Sequence, residues 1–279
     1  AMFLMWLGEQ ITERGVGNGI SMLIFASIVA GTPGMISQSI EQVNQGQMNL
    51  IVLFIFVVLG VAVTAGIVYI ERAQRQVPVN YAQKQQQGRK IYAQQQSHLP
   101  LKLNMAGVIP AIFASSLLLF PASLGQWVGQ SADPTFTQKI LQNVALVLSP
   151  GQPLYLVLFG AMIIFFCYFY TALVFSPREV AENLKRSGAY IPGIRPGQQT
   201  QRYLDHVLNR LTFIGAMYMT VICLMPMVVQ SSFGVPFQLG GTSLLIMVVV
   251  VMDFISQIQA HLMTHQYHDQ TLIQSPTQS

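Results

Sequence analysis

Charge is the scarcest property of this 279-residue sequence. Only 9% of the residues are Asp, Glu, Lys or Arg, whereas 52% are apolar. So few charged side chains cannot cover the surface of a water-soluble domain, so a soluble globular protein is excluded. The composition predicts a protein whose main solvent is lipid.

The sequence also shows no pattern typical of a disulfide-bonded protein and no cleavable signal peptide. Its two cysteines, Cys167 and Cys223, lie inside apolar runs, where a thiol behaves as a small hydrophobic group and no disulfide is expected. The opening AMFLMWLGEQ has neither a basic n-region nor a small-residue cleavage site. Its apolar run, 2–7, is too short to cross a bilayer. We therefore expect the tail of a membrane helix, and a polypeptide that is the C-terminal portion of something longer.

Long apolar stretches, by contrast, are abundant. About 20 apolar residues cross the hydrocarbon core of a bilayer, at roughly 1.5 Å of rise each. Five segments meet this requirement, and a sixth is weaker; in chain order the six are 20–40 (the weaker one), 50–70, 103–124, 154–175, 211–229 and 240–258. Polar residues and Pro33 interrupt the weaker segment, which predicts a helix shielded from lipid. Since backbone groups in lipid must pair internally, the fold class is all-α, a polytopic α-helical membrane protein.

The basic residues alternate between the two sides of these spans. Thirteen of the 14 Lys and Arg residues fall around Arg14, in 71–102 or in 176–210, and the intervening loops hold only Lys139. By the positive-inside rule the basic loops face the cytoplasm. Counting the spans places the C-terminal tail on the same side. We expect a multi-pass protein of the bacterial plasma (inner) membrane.

The first basic loop, 71–102, is long and rich in glutamine. Its stretches QVPVNYA and RKIYAQ carry β-branched and aromatic residues on either side of a turn that contains Gly88. This pattern favours a protruding hairpin. A solvated loop that serves only to set the topology remains an open alternative.

The second basic loop, 176–210, begins with a short helix. Ser176 can cap it, Pro177 takes its first position, Glu179 completes an S-x-x-E box, and Gly188 ends it. The following YIPGIRPG restricts the backbone on both sides of Arg195 and would present one guanidinium on a stiff tip. The open alternative is that Arg195 only satisfies nearby carbonyls.

The loop on the opposite side of the membrane contains PTFTQKILQNVALVLSP. Phe136, Ile140, Val144 and Val147 recur at helical spacing within it. This periodicity predicts an amphipathic helix that lies flat on the membrane surface.

Several of these segments, taken in order, resemble the SecY family, the channel subunits of the bacterial protein-export translocase. They are MFLMWLGEQITERGVGNGIS, HLPLKLNMAGVIPAIFASS, PGQPLY, FYTALVFSPRE, SGAYIPGIRPG and GGTSLLIMVVVVMDF. The resemblance implies a SecY-type bundle of ten helices in two halves around a central pore. The chain would supply the end of the fourth helix with the fifth and sixth in 1–70, the seventh and eighth in 103–175, and the ninth, tenth and tail in 211–279. The first three helices would be absent.

The resemblance further implies a pore that conducts unfolded polypeptides across the plasma membrane and releases transmembrane segments into lipid. Its constriction would include Ile20, Ile24, Ile112 and Ile246. A ring of branched aliphatic side chains in a narrow pore excludes water, yet it can deform around a passing chain. From the residues alone, each isoleucine would be ordinary helix packing.

By the same resemblance, the segment 103–124 would form one side of a lateral gate, with Ser115, Ser116 and Phe120 as gate residues. Pro110 and Pro121 weaken the backbone hydrogen bonds of this helix, so it could bend as a gate opens. A kinked structural helix is the alternative.

The basic loops would dock the motor SecA and the ribosome. A guanidinium can pair with carboxylates of a motor or with phosphates of ribosomal RNA. The implied partners also include SecE and SecG, signal sequences, nascent polypeptides and membrane lipids. The implied docking residues are Arg195, Lys84, Arg89, Lys90, Arg178, Lys185 and Arg186.

No catalytic, metal or cofactor site is expected. GVGNG, at 15–19, has no following Lys-Ser/Thr and is a turn between spans. His261, His265 and His268 lack a cysteine and belong to a solvated tail. Asp253, inside an apolar run, is best satisfied near the interface. A secondary transporter for a small solute remains an open second function, because broken helices and an acid inside an apolar run are typical of such transporters. A membrane-embedded transferase would need acid and base groups at the interface, and the sequence offers none.

Overall fold

The computed structural model describes residues 1–15, 19–47, 49–81, 96–103, 109–128, 133, 135–149, 152–233 and 241–273. These residues form nine helices and three strands. In chain order they are α1 (Met2–Arg14), α2 (Gly19–Asn44), α3 (Leu50–Arg72), β1 (Gln74–Tyr81), β2 (Gln96–Lys102), α4 (Ile109–Val128), α5 (Phe136–Val147), α6 (Pro153–Val174), α7 (Pro177–Arg186), β3 (Ala189–Tyr190), α8 (Gln198–Phe233) and α9 (Gly241–Ile273).

Six helices in the described part of the chain are long and apolar enough to cross a membrane, which confirms the prediction of six spans. They lie in α2, α3, α4, α6, α8 and α9. The protein is therefore a multi-pass membrane protein of mostly helical structure. The weakest span lies in α2, and within the described residues little of Ser21–Asn44 is buried, so the described residues do not supply the expected shielding.

Three boundaries differ from the sequence expectation. The described part of α4 begins at Ile109 rather than at 103; β2 ends at Lys102, and residues 104–108 lie outside the described residues. α8 begins thirteen residues before the predicted 211–229 span, and α9 continues through the predicted tail to Ile273. Pro121 lies inside α4, and Pro110 lies in the first turn of its described part, next to the undescribed residues 104–108.

The described residues fall into two compact units, one within Ala1–Ala65 and Val235–Ser279 and the other within Gly66–Gly234. In the first unit, α2 packs against both α1 and α9. The backbones of α1 and α2 meet closely, because a Cβ on Gly19 would overlap the carbonyl of Gly8. The Thr12 hydroxyl donates to the Gly8 carbonyl at 2.9 Å and accepts the Gly19 N–H at 2.9 Å. One threonine side chain thus replaces a missing backbone partner at the start of α2.

The second unit contains a helical core and a small sheet. α4 packs against α5 and α6, and α6 packs against α8. Phe159 and Ile163 of α6 and Met219 of α8 are completely buried, and the Cys167 thiol lies 3.6 Å from the Met219 sulfur. Cys167 and Cys223 are both buried thiols, so they serve here as small core side chains.

The sheet of the second unit has the strand order β2-β1-β3, and both pairs are antiparallel. Gln74 lies opposite Lys102 and Asn80 opposite Gln96, a register symmetric about sequence position 88. The predicted hairpin is therefore confirmed in its first strand. Its second strand is Gln96–Lys102, while the stretch expected to form it, 89–94, lies outside the described residues.

Candidate docking surface, constriction and gate helix

The two basic loops fold together into one structure. We use the name loop module for residues 74–81, 96–103 and 176–211, which comprise the sheet, α7 and the first turns of α8. Val77, Leu101 and Leu204 are almost completely buried between these elements. The shared hydrophobic core consists of Val77, Val79, Leu101, Ala189, Ile191, Leu204, Val207 and Leu211. The alternative of a solvated first loop is therefore wrong for its described strands.

This core fixes a strongly cationic surface. From Glu71 to Arg210, the described parts of the two loops hold nine Lys and Arg residues against four Asp and Glu residues, a net formal charge of +5. Because the backbone beneath these side chains is held by buried apolar contacts, the charges occupy defined positions. A surface of this kind attracts anionic partners and orients them.

Arg195 lies at the tip of the loop module, between two constrained turns. The Ile194 N–H donates to the Ile191 carbonyl at 3.1 Å. Gly193 and Gly197 have φ angles of 82° and 106°, which a side chain would strain. The Thr200 hydroxyl donates to the carbonyl of Arg195 at 3.0 Å. These two turns and the Thr200 hydrogen bond hold the backbone on both sides of Arg195.

The side chain of Arg195 is exposed. Within the described residues, its guanidinium makes no hydrogen bond and no ion pair with a neighbour, so satisfying local carbonyls is not what it does there. Since none of the described residues occupies its donors, they can meet a ligand in a forked geometry.

The helix α7 forms where it was predicted, beginning at Pro177 and followed by Gly188 with φ 70°. The expected capping bond is absent, however, since Ser176 makes no side-chain hydrogen bond to the helix start. Lys185 and Arg186 lie in the last turn, where the helix dipole favours cations. Both are exposed and remain available to a partner.

A polar groove runs between α7 and the start of α8. Its volume is about 490 Å³, and the residues that line it are Arg178, Ala181, Glu182, Lys185, Gly197, Gln198 and Gln201. Arg178 and Glu182 form an ion pair at 3.4 Å, but both side chains are exposed, so the pair contributes little to stability. Arg178 can therefore exchange Glu182 for an incoming carboxylate at small cost.

The remaining docking candidates were Lys84, Arg89 and Lys90. All three lie outside the described residues.

Sequence reasoning missed one polar contact, between the end of α3 and the middle of α8. The Tyr218 hydroxyl donates to Oε1 of Glu71 at 3.2 Å. The bond ties the last turn of α3 to α8, only three residues before β1 begins. The one available signal was that Glu71 is the sole acid among the six basic residues of the first loop.

Two of the constriction residues have described side chains in the first unit. Ile24 on α2 is half-buried, and Ile246 on α9 is 6% exposed. α2 and α9 pack against each other. Ile20 lies in the first turn of α2, but its side chain is outside the described set. Ile112 is half-buried on α4, in the second unit.

The candidate gate residues occupy one side of α4. Ser115 is half-buried and Ser116 exposed, and the Ser116 hydroxyl donates to the Ile112 carbonyl at 2.9 Å. Bonds of this kind to the preceding turn tend to bend a helix. Phe120 is 65% exposed, and Pro121 beside it removes a backbone donor. The helix thus has its weakest hydrogen-bonded turns next to an exposed aromatic ring.

Within the described residues, the polar side chains of the last span and tail form no cluster that could hold a metal ion. His261 and His265 are exposed, with ring centroids 6.2 Å apart. The side chains of Asp253 and His268 lie outside the described set.

Comparison with known proteins points to one family. The family model named SecY matches residues 1–255. The protein translocase subunit SecY of Pseudomonas aeruginosa is 64% identical over 267 residues, 96% of this chain and 59% of that protein. The protein of the same name from Escherichia coli strain K12 is 59% identical over 95% of this chain and 59% of its own length. The chain thus spans about 59% of the length of these curated relatives.

A solved structure of a protein-conducting channel has the same fold. It superimposes with a TM-score of 0.59 at 18% sequence identity, over 93% of this chain and 62% of that one. A solved structure of SecY, described by a plug domain that stabilises the closed state of its translocation channel, gives a TM-score of 0.60 at 19% identity, over 93% and 63% of the two chains. These relatives are described as translocase subunits, as a translocation channel and as a protein-conducting channel.

Proposed function

Because this chain belongs to the SecY family, we propose that it contributes the pore-forming part of a protein translocase. Such a channel conducts unfolded polypeptides across the plasma membrane and releases transmembrane segments sideways into lipid. The observation that carries the proposal is the match of the family model to residues 1–255. SecE and SecG are the proposed companion subunits, and signal sequences, nascent polypeptides and lipids are the proposed ligands.

The loop module is the proposed docking surface for the motor SecA and the ribosome, and it faces the cytoplasm in this proposal. The positive-inside distribution supports that orientation. The buried core of the module supports a docking role, since it holds the Arg195 tip in a fixed position relative to α7 and the groove. A pre-ordered surface loses less entropy on binding than a flexible loop would.

The proposed constriction is the aliphatic ring of Ile20, Ile24, Ile112 and Ile246. Its support is the burial of Ile246 and the packing of α2 against α9, which keep two of these positions on apolar helix faces. Such a ring blocks ions by excluding water and makes no specific bonds that would hold a passing polypeptide.

The proposed lateral gate is the α4 face with Ser115, Ser116 and Phe120. The serine bond to the preceding turn and the interior proline support it, because both lower the cost of bending this helix. An apolar signal helix could then exchange with lipid beside Phe120.

The docking proposal is tested by reversing one charge at a time in the full-length translocase. Arg195→Glu removes a forked, charge-assisted contact of roughly 1.5 to 3 kcal/mol, or about 10- to 150-fold in partner affinity. We expect motor-driven export and motor binding to fall while the channel stays folded. Arg202→Glu is the matched control, an equal charge change on an exposed site of α8.

Equal losses in the two variants would mean that only net charge matters. Normal export by Arg195→Glu would remove the tip from the docking surface.

A further inference from the structure

The short helix α5 is held close to the bilayer by the chain itself. It follows the span in α4 after residues 129–135 and precedes the span in α6 after residues 148–152. Connections of that length cannot carry a helix far from the ends of two spans. The Thr135 N–H donates to Oε1 of Gln138 at 2.9 Å, which fixes the start of α5. α5 is therefore an ordered helix at one membrane surface.

One side of α5 is packed against α4. A Cβ on Gly125 of α4 would overlap the Cβ of Ala145, and it would lie 3.7 Å from the carbonyl oxygen of Leu141. The two helices thus meet at a glycine, with backbone and methyl group in direct contact. A contact without long side chains leaves little room for one helix to shift against the other.

A different side of α5 is apolar and unpacked within the described residues. At 100° per residue, its members fall within one stripe about 80° wide, whose centre lies roughly 140° around the helix from Ala145. The exposed residues of this stripe are Phe136, Ile140, Val144 and Val147. Lys139 lies on the remaining, largely polar part of the helix, which also carries the exposed Leu146, and Gln142 is half-buried beside the Ala145 side. The helix therefore has three distinct sides, for α4, for an apolar partner and for water.

The ends of the two neighbouring spans also expose apolar side chains. Trp127, in the last turn of α4, is 83% exposed, and exposed tryptophans at span ends sit at the level of lipid headgroups. Leu124 of α4 and Leu154 of α6 are also exposed near the same ends. Lys139 is the single charged residue of α5, and a cation suits anionic headgroups.

We propose that α5 is an in-plane membrane anchor for α4: its apolar stripe inserts among lipid headgroups, and its contact at Gly125 holds the end of α4 at a fixed depth. The partner is the lipid interface. This binding surface goes beyond the proposed function, and it would exist whether or not the chain conducts polypeptides. If α4 is a gate, α5 must move with it, so the lipid composition of that leaflet would affect gating.

The depth of α5 is tested in the full-length protein in lipid vesicles by fluorescent labelling of introduced cysteines. Cys167 and Cys223 are buried and will not compete for the label. A label on Ile140→Cys should be quenched by spin-labelled lipids, whereas a label on Lys139→Cys, at an exposed site on the polar side, should be quenched by aqueous iodide. The proposal would be overturned if iodide quenched both labels to the same extent, or if spin-labelled lipids quenched both labels to the same extent.

The coupling to α4 is tested with a label on Trp127→Cys. Adding Ile140→Asp should shift quenching of this label from lipid towards iodide, and Gln142→Asp, the matched control, should not. If Ile140→Asp lowers the helix content measured by circular dichroism, Val144→Asn repeats the test with a polar side chain that carries no charge. An unchanged label in both Ile140→Asp and Val144→Asn would show that α5 does not set the depth of α4. No step requires transport, so the outcome is independent of the channel proposal.

Discussion

The substitution Leu101→Ala is expected to loosen the loop module. Leu101 of β2 is completely buried in the core shared by the sheet and the start of α8. Replacing a buried leucine by alanine costs roughly 2 to 5 kcal/mol, as the lost burial plus the cavity that remains. If the module opens separately from the spans, its opening constant rises by about 30- to 4,000-fold at 1.4 kcal/mol per factor of ten.

The assay is amide hydrogen exchange of the strand β1, read by mass spectrometry on the full-length protein in lipid nanodiscs. Leu101→Ala should speed exchange at Val77 and Val79, which share the core with Leu101. The matched control is Leu173→Ala on α6, the same chemical change at a position that is 67% exposed. Exchange of β1 that is unaltered by Leu101→Ala would refute the claim that the two loops share a stabilising core.

Three further outcomes are expected. Tyr218→Phe should lower the free energy of unfolding by roughly 1 to 3 kcal/mol, because it removes a hydrogen bond to a carboxylate. Thermal unfolding in nanodiscs measures this loss, and an unchanged midpoint temperature would count against the hydrogen bond. Ile246→Asn should increase ion leak and the export of chains with defective signals, whereas Val251→Asn, elsewhere on α9, should not; equal leak in both would dismiss the ring. A photo-crosslinker at Phe120 should capture signal sequences more often than one at Leu119, and capture without preference would argue against the gate face.

The number of spans could be predicted because it depends on a length that lipid imposes. An apolar run of about 20 residues must cross the bilayer as a helix, and all six such runs do form helices of sufficient length. The site of Arg195 was equally local, since Pro192-Gly193 and Pro196-Gly197 dictate their own turns. Features encoded within a few residues were therefore recovered.

The loop module was missed because its assembly depends on residues far apart in the chain. β3 has only two residues, Ala189 and Tyr190, and pairs with β1 more than a hundred positions earlier. Nothing in so short a segment indicates a strand. A usable signal did exist in α8, where Leu204, Val207, Leu208 and Leu211 recur at helical spacing and are all buried. That period would have extended the predicted helix into the loop and provided a face for the hairpin.

The caps show a second limit of local patterns. Ser176 and Glu179 fit a capping box by spacing, yet Ser176 makes no capping bond. Thr135 and Gln138 have the same spacing, and there the glutamine does accept the Thr135 N–H. Spacing permits the bond, but the direction in which the chain enters the helix decides whether it forms.

The central claim is that the two basic loops form one pre-ordered surface that docks a partner through the Arg195 tip. Hydrogen exchange of the full-length translocase, measured with and without SecA, tests it most directly. Docking should slow exchange at 191–197 and in α7 together, while β1 stays protected in both states. If SecA protected neither segment, or if β1 exchanged freely until the motor bound, the surface would be neither the docking site nor pre-ordered.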